Sequence, residues 1–154
     1  MIDIIRMRRD LGSAVAAQVW PDGVALRPFT AADAPAVHAL LKLAYADGGG
    51  SVEPFAEWWK TLAADSEYDS ALCFIAWSGD SLVGVALCWT SAFVKDLVVH
   101  PGGQRRGVGK ALLLTAFQTF RDRGASSVDL KVQADNAGAI RFYENLGMIL
   151  ASDQ

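Results

Sequence analysis

Apolar residues in this chain recur with two periods. Short runs such as "SALCFIAW", "SLVGVALCW" and "AFVKDLVV" are near-continuous in Val, Ile, Leu, Phe and Trp and are bounded by Gly, Asp or Pro, as buried strands are. Between and around them lie stretches with helical spacing. Val37, Leu40, Leu41 and Ala44 fall at i, i+3, i+4 and i+7, behind Thr30 or Asp33 as a cap. Phe55, Trp58, Trp59 and Leu62 form a second stripe. Leu113, Phe117 and Phe120 form a third, on a helix predicted from about Gly107 to Arg123 and stopped by Gly124. Ala139, Phe142, Tyr143 and Leu146 form a fourth, in "NAGAIRFYENLG". "IDIIRMRRDL", "VALRPF" and "SVDLKV" read as further strands, and "MILASDQ" as an abbreviated last one.

The order matters more than any single element. After the leading strand it reads β-α-α-β-β-β-α-β-α, which predicts a mixed α/β (α+β) fold with helices on both faces of one sheet. The link Ser78-Gly79-Asp80 suits an antiparallel hairpin. The unit from "AFVKDLVV" through the third helix to "SVDLKV" calls for two parallel strands with a right-handed crossover. Residues 1–22 form a strand and linker, and residues 23–154 the main body of what is expected to be one domain.

Composition narrows the function. The chain has 154 residues, 52% of them hydrophobic, and a formal net charge of -3. A broad basic face for nucleic acid is not expected, so any anion site is local. No apolar run reaches the roughly 18–20 residues of a membrane span. The N-terminal residues lack the apolar core of a signal peptide. Cys73 and Cys88 stand alone in apolar runs, with no metal-ligand spacing, and read as buried reduced thiols of a cytoplasmic protein.

Against that background, "HPGGQRRGVGKALL" (residues 100–113) is unusual. It sets two adjacent arginines and four glycines between a strand and an apolar helix. The first turn of a helix presents N–H groups without intrahelical partners at the positive end of its dipole, a site for a phosphate. Gly107 and Gly109 would let such a ligand approach the backbone. Two nucleotide motifs fail here. A Walker loop ending at Gly109-Lys110 needs Gly at 104 and Ser or Thr at 111, which are Gln104 and Ala111. A dinucleotide fingerprint from Gly107 needs Gly or Ala at 112, which is Leu112.

Gln104-Arg105-Arg106-Gly107-Val108-Gly109 after "KDLVVHP" resembles the Q/R-x-x-G-x-G/A loop of the GCN5-related N-acetyltransferase (GNAT) family. "DNAGAIRFYENLGM" resembles that family's second signature, an Asn followed by a helix bearing F/L-Y-x-x-x-G-F/M. The resemblance spans nearly all of residues 23–150. It implies a mostly antiparallel sheet with one splayed parallel pair, acetyl-coenzyme A as cofactor, and transfer of its acetyl group to a primary amine of a small molecule or peptide. By position, the N–H groups of Arg105, Arg106, Gly107, Val108, Gly109 and Lys110 would hold the pyrophosphate, with Gln104 a further cofactor-binding residue of the loop. Leu97, Val98 and Val99 would pair with the pantetheine arm, and Asn136 would bind from the opposite side. The backbone N–H of Val98 or Val99 would donate to the acetyl carbonyl.

The resemblance also assigns chemistry. Tyr143 matches the family's general acid, and a phenol with a pKa near about 10 stays protonated at neutral pH; its other reading is plain packing on the apolar stripe. Where some relatives carry a glutamate as base, this chain has Lys131, which cannot replace a carboxylate without a large pKa shift. Asp96 is the substitute base, or else an ion-paired carboxylate beside Lys95 or Lys131. Glu53 and Glu57 are more distant acidic options. "YADGGGSVEPFAEWW" reads either as an aromatic lid over the acceptor or as core packing. Residues 2–11 are expected to fill a last-strand position beside "MILASDQ", or in a neighbouring subunit of a homodimer. A non-catalytic acyl-coenzyme A-binding module is the alternative reading.

Overall fold

The computed structural model describes residues 3–46, 51–104 and 106–151. Seven strands form one sheet: β1 (Ile4–Asp10), β2 (Val24–Pro28), β3 (Cys73–Ser78), β4 (Ser81–Trp89), β5 (Phe93–Val99), β6 (Ser127–Gln133) and β7 (Ile149–Leu150). Four helices accompany them: α1 (Ala34–Ala44), α2 (Phe55–Ala64), α3 (Val108–Asp122) and α4 (Ala137–Asn145). The strand order is β2-β3-β4-β5-β6-β1-β7, and every neighbouring pair is antiparallel except β5–β6.

Successive residues of a strand face opposite sides, so this sheet feeds two cores. Phe74, Ala76, Ala86 and Cys88 pack with Leu112, Leu113, Phe117 and Phe120 of α3. Their alternates Ile75, Val85 and Leu87 pack with Val37, Leu40 and Leu41 of α1 and with Trp58 and Leu62 of α2. Both cysteines are buried and free. Burial pushes the Cys73 thiol up to about 12.

Local rules set the element ends. Thr30 and Asp33 form a reciprocal capping box before α1. At the end of α3, the Ala125 N–H donates to Phe120 O and the Gly124 N–H to Arg121 O, with Gly124 at φ +86°. That is a Schellman stop, which needs a left-handed residue. At the other end of α3, the helix sits close against β4 because Gly84 has no side chain. A Cβ there would lie 2.8 Å from both Leu112 Cδ1 and Val108 Cγ1.

Two features of the sheet shape the site. First, β1 inserts between β6 and β7 of its own chain, with Ile4 opposite Gln133 and Met7 opposite both Leu130 and Leu150. Second, β5 and β6 pair only at Phe93–Asp129 and Val94–Leu130. The β4–β5 register slips between Leu87 and Cys88, leaving Lys95 as an extra residue in β5. Such a bulge bends its strand and increases twist. From Lys95 onward β5 follows β4 and leaves β6, so the sheet forks.

Candidate active site

The fork opens between the two ladders of β5 and β6, and α3 and α4 start beside it. On one side is a cavity of about 680 Å³, lined by Leu97 and Val99 of β5, the first turn of α3, and Phe142 and Tyr143 of α4. Gly107 caps α3 at φ +92°, a conformation that favours glycine. Gly109 follows, close to both β5 and α4. A Cβ there would stand 3.4 Å from Val99 Cγ2 and 3.7 Å from Phe142 Cζ. The unpaired N–H groups of the first helical turn lie at this cavity.

On the other side of the fork is a cavity of about 410 Å³. Tyr45, Lys95, Asp96 and Lys131 line it. Leu97, Asn136, Ala139 and Tyr143 line both cavities, so the two are halves of one cleft that meet at Tyr143. Asn136 is fixed there as the N-cap of α4, its Oδ1 accepting from the Ala139 N–H at 3.1 Å. That bond uses only the carbonyl end of the amide, and the NH₂ group remains a donor.

The model of the Acetyltransferase (GNAT) family matches residues 35–148 of this sequence. The chain belongs to the GNAT family. It is 32% identical to a mycothiol acetyltransferase from Thermobispora bispora over 92% of its own length and 52% of that protein's. It is 33% identical to a streptothricin acetyltransferase from Streptomyces lavendulae, over 84% of this chain and 65% of that one. A crystal structure of a GCN5-related N-acetyltransferase from Sphaerobacter thermophilus superposes with a TM-score of 0.84 at 26% identity, covering 97% of this chain and 49% of that one. The chain thus spans about half the length of the mycothiol acetyltransferase it matches.

Within this GNAT cleft the motif residues take distinct places. Gln104, Gly107, Val108, Gly109 and Lys110 line the larger cavity. Gln104 Nε2 also donates to Val99 O at 3.4 Å. Arg106 is exposed, and its Nη2 donates to Asp22 O at 3.1 Å, toward the turn before β2. Arg105 lies outside the described residues, as does the glycine run at 48–50. Leu97 and Val99 face the larger cavity, whereas Val98 packs into the core with α1 and α2.

Tyr143 is half-buried, and its ring meets that of Phe142 edge-on at 5.5 Å. Burial pushes its phenol above the ordinary tyrosine value. Among the described residues its hydroxyl has no hydrogen-bond partner. Asp96 is buried and doubly engaged: Oδ1 accepts from the Tyr45 hydroxyl at 2.7 Å, and Oδ2 pairs with Lys95 Nζ at 2.8 Å. Burial first, and then the Asp96 charge, raise the Tyr45 phenol. The sequence names Lys95 as a neighbour of Asp96 but gives no sign of Tyr45 in that role, because the two residues are 51 positions apart.

The other aromatic residues of that segment belong to the core. Trp58 is buried, and Phe55 and Trp59 pack against the same cluster. Glu53 and Glu57 line a separate surface hollow on α2, away from the cleft. Among the described residues no helix is long and apolar enough to cross a membrane.

Proposed function

We propose that this chain transfers the acetyl group of acetyl-coenzyme A to a primary amine, with Tyr143 as general acid and Asp96 as general base. The observation that carries this reading is the forked sheet, whose two cavities meet at Tyr143. Three features of the larger cavity support acetyl-coenzyme A as the cofactor. They are an unpaired strand edge at Leu97–Val99, a glycine-led helix N-terminus for a diphosphate, and a cradle at Gly109 that a side chain would narrow. Gln104, Arg105, Arg106, Gly107, Val108, Gly109 and Lys110 would hold the diphosphate end, Arg106 through its main chain. The Asn136 amide would bind from α4.

When bound, acetyl-coenzyme A supplies an acetyl group activated as a thioester. The chain's own groups handle the protons and the charge. Along β5 the N–H groups of His100 and Val98 turn to β4, so the main-chain N–H of Val99, on the open edge, would donate to the acetyl carbonyl oxygen, where negative charge would develop. The Tyr143 hydroxyl carries the proton that the departing sulfur takes up, and the raised phenol keeps that proton in place at neutral pH. Asp96 accepts the amine's proton. A carboxylate has about four lone-pair sites, so Tyr45 and Lys95 leave room for an amine.

A cytoplasmic location belongs to this reading, since both cysteines are free thiols. So does a homodimer. Ile149 and Leu150 are exposed apolar residues of the edge strand β7, as is Ile4 of the neighbouring β1, and the mycothiol acetyltransferase relative has about twice this chain's length.

Titration calorimetry with acetyl-coenzyme A, followed by free-thiol release against a panel of amines, tests the proposal. Binding together with amine-dependent thiol release is expected. No binding would overturn the reading, and binding without release on any amine would favour the non-catalytic module.

A further inference from the structure

The identity of the acceptor rests on the reading above, and the charges of the smaller cavity bear on it directly. Three charged residues line that cavity: Lys95, Asp96 and Lys131. Lys95 is accounted for. Its ammonium pairs with Asp96 at 2.8 Å and lies 5.9 Å from the centroid of the Trp89 ring. Lys131 is exposed, and among the described residues no carboxylate lies within ion-pair distance of it.

The neighbours of Lys131 add to the same charge. Its cross-strand partner on β1 is Arg6, and like charges directly opposite each other destabilise a strand pair. Arg6 has no counterion of its own, because it shares Asp129 with Arg8. The three strands around the fork, β1, β5 and β6, therefore carry Arg6, Arg8, Arg9, Lys95 and Lys131 against Asp10, Asp96 and Asp129. This local positive surplus stands in a chain whose formal net charge is -3. Within the cavity itself Lys95 and Asp96 pair, so the lining keeps the one positive charge of Lys131, and such a local charge attracts ligands of the other sign.

Position gives the charge a use. The last β5–β6 pair is Val94–Leu130, so Lys131 is the first residue of β6 past the point where the strands part. It shares the cavity of about 410 Å³ with Asp96 and Tyr143. A small molecule there meets a carboxylate suited to an amine and an unpaired ammonium suited to an anion.

We infer that the acceptor is a small amine that also bears an acidic group, carboxylate or phosphate, with that group held by Lys131 while the amine faces Asp96 and Tyr143. Lys131 thus sets specificity, in the position where some relatives carry a catalytic glutamate. Amines with several positive charges and no acidic group are poor acceptors, because the same field repels them.

The test compares matched amines with acetyl-coenzyme A at saturation: an α-amino acid against its decarboxylated amine, and O-phosphoethanolamine against ethanolamine. The wild-type protein should favour the acid-bearing member of at least one pair by about tenfold in kcat/KM, the amino-acid and phosphate arms telling which acid is used. Lys131→Gln should bring that ratio close to one, Lys131→Glu should invert it, and Lys131→Arg should preserve it. Thermal melting confirms that each variant is folded. A wild-type protein that binds acetyl-coenzyme A and acetylates neutral or cationic amines as well as acid-bearing ones overturns this inference and leaves the acetyl-transfer reading intact. So does a ratio that Lys131→Gln does not change. A wild-type protein that does not bind acetyl-coenzyme A overturns both.

Discussion

Tyr143 and Asp96 have opposite surroundings, and their expected behaviour differs accordingly. Tyr143 is half-buried where the two cavities meet, with a hydroxyl free of protein partners among the described residues. Tyr143→Phe should lower kcat by about 100-fold while acetyl-coenzyme A affinity, measured by calorimetry, stays within about twofold. The phenol must be protonated to donate and its pKa lies above the usual value of about 10, so its loss of a proton should not limit the wild-type rate below about pH 10. Asp129 illustrates a structural carboxylate. Hydrogen bonds from Arg8, and then from Arg6, hold it below the ordinary aspartate range despite its burial. Asp129→Asn should lower the melting temperature by about 5 °C at pH 7. A lowered native pKa contributes stability above the unfolded value of about 3.9, and that contribution disappears as pH falls through the native pKa. The gap between wild type and variant should therefore be full at neutral pH and narrow in acid, as melts across pH 2–8 would show.

At the scale of elements, the path of α3 is the most constrained. Its inner face packs on Gly84, and its N-terminus forms one wall of the larger cavity. Gly84→Ala would press a methyl group into Val108 and Leu112. Overpacking of this kind costs about 1–3 kcal/mol and should lower the melting temperature by several degrees. It should also weaken acetyl-coenzyme A binding several-fold, since the displaced turn is the one proposed to hold the diphosphate. The limits of α3 were legible in the sequence, because periodicity and a C-terminal glycine are local signals. Leu113, Phe117 and Phe120 are all buried, and Gly124 ends the helix in the left-handed region. The fork was legible only through family resemblance. Its cause, the extra residue Lys95 in β5, depends on how two strands align, and nothing in "FVKDLVV" announces a bulge. The partnership of Tyr45 with Asp96 was hidden for the same reason: it is a contact made by the fold.

For the molecule as a whole, the placement of β1 is the main surprise relative to chain order. The sequence left two homes open for residues 2–11, and the described part of that segment lies between β6 and β7 of the same chain. Met7 and Leu11 are buried there, and Ala151 donates its N–H to Arg6 O. Removing residues 1–12 would strip β6 of its antiparallel neighbour and expose part of the core. The truncated protein should melt at least about 10 °C lower or fail to accumulate in soluble form. An unchanged melting curve would count against an integral role for β1.

That placement also orders events during synthesis. The strand from Ile4 to Asp10 is made before every other element described here, yet its nearest hydrogen-bonding partner begins at Ser127. Such distant pairings are slow to form, because a long loop must close before any contact rewards it. Until most of the chain has been translated, an arginine-rich ribbon with apolar residues such as Met7 waits without a ladder. Its positive charges then serve a second purpose, keeping that lone ribbon from joining the wrong edge.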